Sequence, residues 1–192
     1  MATTQPIKSR EDVEALKNYY LKENRNLRNY ALICTGINTA LRISDILALT
    51  WEDVYDYGRE RFRAHLVIQE AKTKKENVVA LNGNLQSALE IYMKSLSSAP
   101  PGQYIFTGQR LKAPLSRSQA FRIIKNACRA LHLSENISCH SLRKTFGYHA
   151  WLSGVNPTVL MIIFNHSSFQ ITKRYLGIDQ DDKDRVFLNL NL

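Results

Sequence analysis

Apolar residues recur at three- and four-residue spacing along most of this chain, and the one window that breaks the rhythm, Trp51 to Leu81, is short. That contrast restricts the fold more than any other feature. A period near 3.6 demands helices with one buried stripe, while a brief run of period two can supply only a few strands. The expected class is therefore mainly α with a small antiparallel β-sheet (α+β).

In chain order, residues 1 to 8 read as a loose lead-in, followed by a helix that Ser9 caps and whose face is Val13, Leu16 and Tyr20. Leu27, Tyr30, Ala31, Cys34 and Ile37 mark a second helix, to about Ala40, and a third restarts near Arg42 with Ser44 as its candidate cap. Ala64 to Ile68 and Asn77 to Leu81 read as paired strands, Lys72 to Lys75 as their basic tip, and Glu52 to Tyr55 as a candidate third strand. Asn82-Gly83-Asn84 signals a turn before a helix carrying Leu85, Leu89, Tyr92, Met93 and Leu96. Tyr104-Ile105-Phe106 is too short to classify. Ser116 caps a helix expected to bury Phe121, Ile124, Cys128 and Leu131 and to present Arg117, Lys125 and Arg129 to solvent. After Ser138 come a helix with His140 and Arg143, a break at Gly154 to Pro157, an apolar helix over Val159 to Phe164, a short helix through Tyr175, and a tail from Asp179 to Leu192.

With 192 residues, 44% of them hydrophobic, the chain suits one compact domain. A net charge of +9 points to an anionic partner, with nucleic acid the first candidate. Cys34, Cys128 and Cys139 show no CxxC spacing and read as reduced, buried thiols of a cytosolic protein. No basic-then-apolar leader pattern is present, and no apolar run reaches the ~20 residues that span a bilayer, so a cytoplasmic location without membrane association is expected.

The chemistry concentrates between His140 and Tyr175. Two histidines, an arginine and a tyrosine make a poor metal site, because arginine does not ligate. Around a phosphate they make sense. A guanidinium fork grips two phosphoryl oxygens, an imidazole moves protons near neutral pH, and a tyrosine oxygen can attack phosphorus.

The pattern Arg42 in Leu-Arg-Ile-Ser-Asp, a lysine in a hairpin, His140-x-x-Arg143, His166 in Asn-His-Ser-Ser and Tyr175 nine residues later resembles the catalytic domain of the tyrosine recombinases, the phage-integrase family. The resemblance spans nearly the whole chain and is most specific in its final block. It implies that Tyr175 attacks a DNA backbone phosphate, giving a 3′-phosphotyrosine and a 5′-hydroxyl, with no metal and no ATP. It further implies that Arg42 and Arg143 hold the non-bridging oxygens, His140 acts as base, His166 donates to a phosphoryl oxygen, and Lys72 protonates the departing oxygen, with Lys74 in reserve. Asp45 is expected to support the Arg42 guanidinium. Asn165 departs from the commoner glycine, but asparagine tolerates the left-handed backbone such a turn needs. His65, His132 and His149 match no family position and read as structural or exposed; Tyr148 reads as core.

Family members usually add an N-terminal helical domain that closes on DNA, and this chain has room for the catalytic half alone. Double-stranded DNA is the partner implied, with Lys74, Lys75, Arg117, Arg122, Lys125 and Arg129 as candidate phosphate contacts and binding expected to be weak and salt-sensitive. The resemblance also implies a homo-tetramer on DNA, from a monomer in free solution, in which Phe187, Leu188 and Leu190 of the tail dock on a neighbouring copy. The alternative is a tail folded on its own core. Two other functions fit parts of the pattern: a type IB topoisomerase that nicks and reseals, and a non-catalytic DNA-binding regulator on the same scaffold.

Overall fold

The computed structural model describes residues 4–108 and 113–190. It is mainly helical with two small antiparallel β-ribbons.

Helix α1 (Arg10–Asn18) starts where the Ser9 hydroxyl accepts from the Asp12 N–H, with Glu11 and Asp12 in the first turn favouring its positive end. It runs on into a π-helical stretch, Tyr19–Glu23. Helix α2 (Leu27–Thr39) is the central element, buried from Asn29 to Gly36 and packed against the helices that follow as α5 and α7. It stops at Ala40, whose φ of 55° is left-handed and breaks the hydrogen-bond ladder. The chain restarts at once as α3 (Ile43–Leu47). Arg42, not Ser44, occupies the cap position, because the first helical bonds run to the Arg42 carbonyl.

The expected third strand is corrected. A reciprocal capping box between Thr50 and Asp53 turns Trp51–Val54 into a short helix, α4. Only then do β1 (Tyr55–Asp56) and β2 (Arg61–Phe62) pair, as a ribbon separate from the hairpin of β3 (His65–Gln69) and β4 (Glu76–Ala80). In that hairpin Leu66 faces Val79 and Val67 faces Val78; Leu66 is buried while Val67 and Val78 stay exposed. Asn82 caps α5 (Gly83–Lys94). Tyr104 bridges to Thr50, so the unclassified segment threads Ile105 and Phe106 into the core.

Ser116 and Gln119 box the start of α6 (Arg117–Ala130). Ala120, Ile124, Ala127 and Cys128 fill its buried stripe, but Phe121 is 45% exposed beneath Lys125, because the first turn seats Ala120 instead. Helices α7 (Cys139–Leu152), α8 (Pro157–Ile163) and α9 (Phe169–Leu176) follow. The tail is helical as α10 (Gln180–Asn189), its first turn anchored by buried Asp182, while Val186, Phe187, Leu188 and Leu190 stay exposed, so its apolar end is not packed on the core. Cys34 and Cys128 are buried free thiols, whereas Cys139 is only half-buried. No helix among the described residues is long and apolar enough to cross a membrane.

Three apolar clusters hold these pieces. Trp51, Phe106 and Leu85 centre one, and Leu16, Ile33 and Ile124 centre another. The third, Ala40, Leu160, Phe164 and Leu176, is the small floor on which the last helices sit. Each fully buried Leu or Phe contributes ~1.5–3 kcal/mol. The lead-in is also not loose: Ile7 is 2% exposed and its N–H donates to the Thr145 hydroxyl at 2.9 Å. Residues 1–3 lie outside the described residues.

Candidate active site

The αL turn at Ala40 sets the position of the first cation. Because the chain reverses there, Arg42 leaves the start of α3 and meets the Glu70 carboxylate at 2.5 Å. Glu70 is fully buried at the end of β3, where it also accepts from the Thr73 hydroxyl (2.6 Å) and the Asn77 amide (3.1 Å). Burial would raise the Glu70 carboxyl, yet hydrogen bonds from Thr73, Arg42 and Asn165 hold it below its ordinary value. Asp45, expected in this role, does something else: its Oδ1 accepts from the Ala71 N–H at 3.0 Å and so fixes the backbone beside Lys72. Its position on α3 points it at the hairpin strand end and leaves the guanidinium to Glu70.

Arg143 is held from the opposite side. It is 1% exposed, donates from one terminal nitrogen to the Ala40 carbonyl and from the other to the Phe164 carbonyl at 2.7 Å, and lies 4.9 Å from the Phe164 ring. Burial lowers its pKa to about 10, so it remains a cation at neutral pH. The break between α2 and α3 and the end of α8 thus converge on one guanidinium, which explains why an arginine tolerates the core at this point.

Three rings meet above it. His140 and Tyr175 stand edge to face with centroids 4.8 Å apart, and His166 meets Tyr175 at 4.3 Å. Phe164 stacks under His166 at 5.1 Å and touches Tyr175 at 5.4 Å. Asn165 takes φ = 51°, the left-handed turn expected of it, and swings His166 back over α9. Burial drives both imidazoles down to about 4, with Lys144 and Arg143 adding to the effect on His140 and Arg143 and Arg42 on His166. Both are therefore neutral near pH 7. His166 Nδ1 lies 3.0 Å from the Thr172 hydroxyl, which holds the ring in place whichever of the two donates. His166 Nε2 and Arg143 Nε are buried without a hydrogen-bond partner.

A cleft of ≈ 540 Å³ opens beside His140 and Arg143, lined also by Arg42, Ala71, Lys72 and Arg117 among others. Lys72 is exposed at the hairpin tip on one wall, and Lys74 and Lys75 lie beyond it. The α6 cations divide. Arg117 enters this cleft; Arg122 and Arg129 line another, of ≈ 770 Å³, with Tyr19, Tyr20 and Arg28; Lys125 is spent on the Glu135 carbonyl. At ~100° per residue Arg117 lies roughly 140° around α6 from Arg122, which accounts for the split.

Among the described residues no three His, Cys, Asp or Glu side chains are arranged to hold a metal ion. His65 and His132 are exposed, His149 meets the Ile7 carbonyl at 3.0 Å, and Tyr148 is core. The sequence alone did not single out Glu70, Phe164 or Lys144. Of these only Glu70 left a trace, an acid closing an apolar strand just before a basic turn.

A family model described as the phage integrase family matches residues 9–181. The chain belongs to that family. It is 42% identical over 181 residues to the probable integrase/recombinase YoeC of Bacillus subtilis (strain 168), covering 94% of this chain and 93% of that one. Two further curated relatives, both tyrosine recombinases, are spanned over only 57% and 56% of their length. Among solved structures the fold is similar to XerA recombinase, with a TM-score of 0.78 at 18% identity over 99% of this chain and 65% of that one. It is also similar to the Tn1549 transposon integrase in complex with transposon right end DNA, with a TM-score of 0.72 at 19% identity over 100% of this chain and 68% of that one. Phage-integrase membership thus rests on sequence, and the mainly helical architecture is that of the tyrosine recombinase catalytic domains.

Proposed function

We propose that this chain breaks and rejoins DNA strands through Tyr175, as a site-specific recombinase or integrase. One observation supports this above the rest: His140, Arg143 and His166, distant in sequence, surround the Tyr175 ring, and His140 and Arg143 share a basic cleft with Arg42. Tyr175 Oη attacks the phosphorus of a backbone phosphodiester while the bond to the 5′-oxygen breaks, so the DNA 3′-phosphate passes to the tyrosine. The phenolic proton goes to neutral His140. Arg42 and Arg143 share the charge on the non-bridging oxygens, and His166 donates to one of them through Nε2. The unpartnered buried nitrogens of Arg143 and His166 suit an anion with several acceptor oxygens, His166 donating in the tautomer protonated at Nε2. Lys72 returns a proton to the departing 5′-oxygen. The bond energy stays in the phosphotyrosine, so attack by another 5′-hydroxyl reverses the step and closes a new strand.

Residues Lys74, Lys75, Arg117, Arg122 and Arg129 contribute phosphate contacts, and affinity accordingly falls with salt. Lys125 contributes less, since it is bound to Glu135. Incubation with a nicked suicide duplex tests the reading: the chain forms a covalent protein–DNA complex and Tyr175→Phe forms none. An unchanged yield of complex in Tyr175→Phe overturns it.

The exposed Phe187, Leu188 and Leu190 dock on a neighbouring copy when several chains assemble on DNA. Deleting residues 183–192 then lowers the fraction of higher-order complexes in a gel-shift titration while single-copy binding persists; identical assembly argues for a tail with no such role.

A further inference from the structure

The segment ahead of α1 is fastened to the same helices that carry the reacting groups. The Thr4 carbonyl accepts from Lys144 Nζ, the Gln5 N–H donates to the Asn136 carbonyl at 3.2 Å, and the Ile7 carbonyl meets His149. Pro6 closes on Gly177, the residue with φ = 61° that ends α9; a Cβ added there would stand 2.7 Å from Pro6 Cδ. Lys8 Nζ bonds Asp179 at 2.6 Å and Asp182 at 2.8 Å, across the α9–α10 junction, and lies 5.1 Å from the Tyr148 ring. Asp182 in turn accepts from the Tyr148 hydroxyl at 2.8 Å. Burial alone would raise the Asp182 carboxyl, but hydrogen bonds from Lys8 and Tyr148 take it down to about 2.

These contacts surround a weak element. Helix α9 has eight residues, too few to be stable by itself, and Phe169, Gln170, Lys173 and Arg174 on its outer side are exposed. Its placement therefore depends on Thr172 and Leu176 beneath it and on what pins its C-terminal end, two residues after Tyr175. Lys144, 4% exposed and bound to Thr4, stands 5.7 Å from the Tyr175 ring on the same side.

We propose that residues 4–8 form a clasp, with Lys8 and Lys144 as positioning residues, that holds α9 so that Tyr175 faces His140 and His166. The clasp fixes the helix end through Asp179, Asp182 and Gly177, and it fixes the ring through the cation tied to Thr4. Displacement of the segment is thereby passed to Tyr175 without any change at the arginines, which are anchored by Glu70, Ala40 and Phe164. This inference rests on the reading of Tyr175 as the nucleophile.

Lys8→Met and Lys8→Arg in the full chain test it, since the first removes the charge at similar length and the second keeps it. Amide hydrogen exchange is followed over 169–182 and over α2, alongside single-turnover cleavage of the suicide duplex at saturating DNA. In Lys8→Met, exchange over 169–182 speeds up roughly tenfold, the scale of one charge-assisted hydrogen bond, with α2 unchanged, and cleavage slows by a similar factor. Lys8→Arg stays near the parent in both. Unchanged exchange over 169–182 overturns the clasp, as does an equal rise in α2, which would mean general loosening. If the parent chain yields no covalent complex, the nucleophile reading fails, and the exchange result still decides whether the clasp exists.

Discussion

At the scale of single residues, the decisive feature is how each cation is kept in place before any phosphate arrives. Arg42 has a buried carboxylate and Arg143 has two carbonyls, so both guanidinium groups are fixed in advance, as the proposed stabilisation of developing charge requires. Glu70→Gln removes the anion but keeps the shape. It should lower stability by ~1.5–3 kcal/mol and slow cleavage by roughly 10- to 100-fold, with little effect on DNA affinity. Urea unfolding and single-turnover kinetics measure the two effects; full activity would show that Arg42 does not depend on Glu70. The motif residues were singled out in the sequence by their resemblance to the family pattern, and the fold brings His140, Arg143, His166 and Tyr175 together. Glu70 was not singled out, since an acid at a strand end carries no periodic signal and its burial arises only when the hairpin folds onto α3. Asp45 shows the same limit from the other side: one turn from Arg42 in sequence, it bonds Ala71 in space.

At the scale of elements, the helices were legible wherever a cap and an apolar stripe coincided, as with Ser9 and Ser116. The first ribbon was not, because two-residue strands have no measurable period and the Thr50–Asp53 box reads locally as a helix start. Close packing of α7 on α8 and α9 also escaped the sequence. A Cβ on Gly147 would lie 2.6 Å from Phe164 Cζ and 3.3 Å from Leu176 Cδ2, so only glycine lets Phe164 reach its place under His166 and Tyr175. Gly147→Ala should cost ~1–3 kcal/mol in urea unfolding and reduce cleavage by shifting that ring. A variant of unchanged stability and rate would mean that Phe164 moves aside freely.

At the scale of the molecule, burying two neutral imidazoles among cations makes stability depend on pH. His140 and His166 fall from 6.5 to about 4 on folding, so between these values the unfolded chain binds more protons than the folded one. Stability is fully present above pH 6.5 and is lost as pH falls through 4. Urea midpoints should decline from pH 7 to pH 5, and the double variant His140→Gln with His166→Gln should flatten the decline; a midpoint independent of pH in the parent contradicts the buried, neutral state of both rings. The basic excess of the sequence pointed towards an anionic partner but gave no sign of its division between two clefts, which follows from the turn of α6. The convergence on one phenol is the claim from which the rest follows, and a peptide map tests it most directly. After trapping on a suicide duplex and nuclease digestion, mass spectrometry should find the nucleotide remnant on the tryptic peptide that begins at Tyr175. A remnant on any other residue, or none while the DNA is cut, would contradict the account.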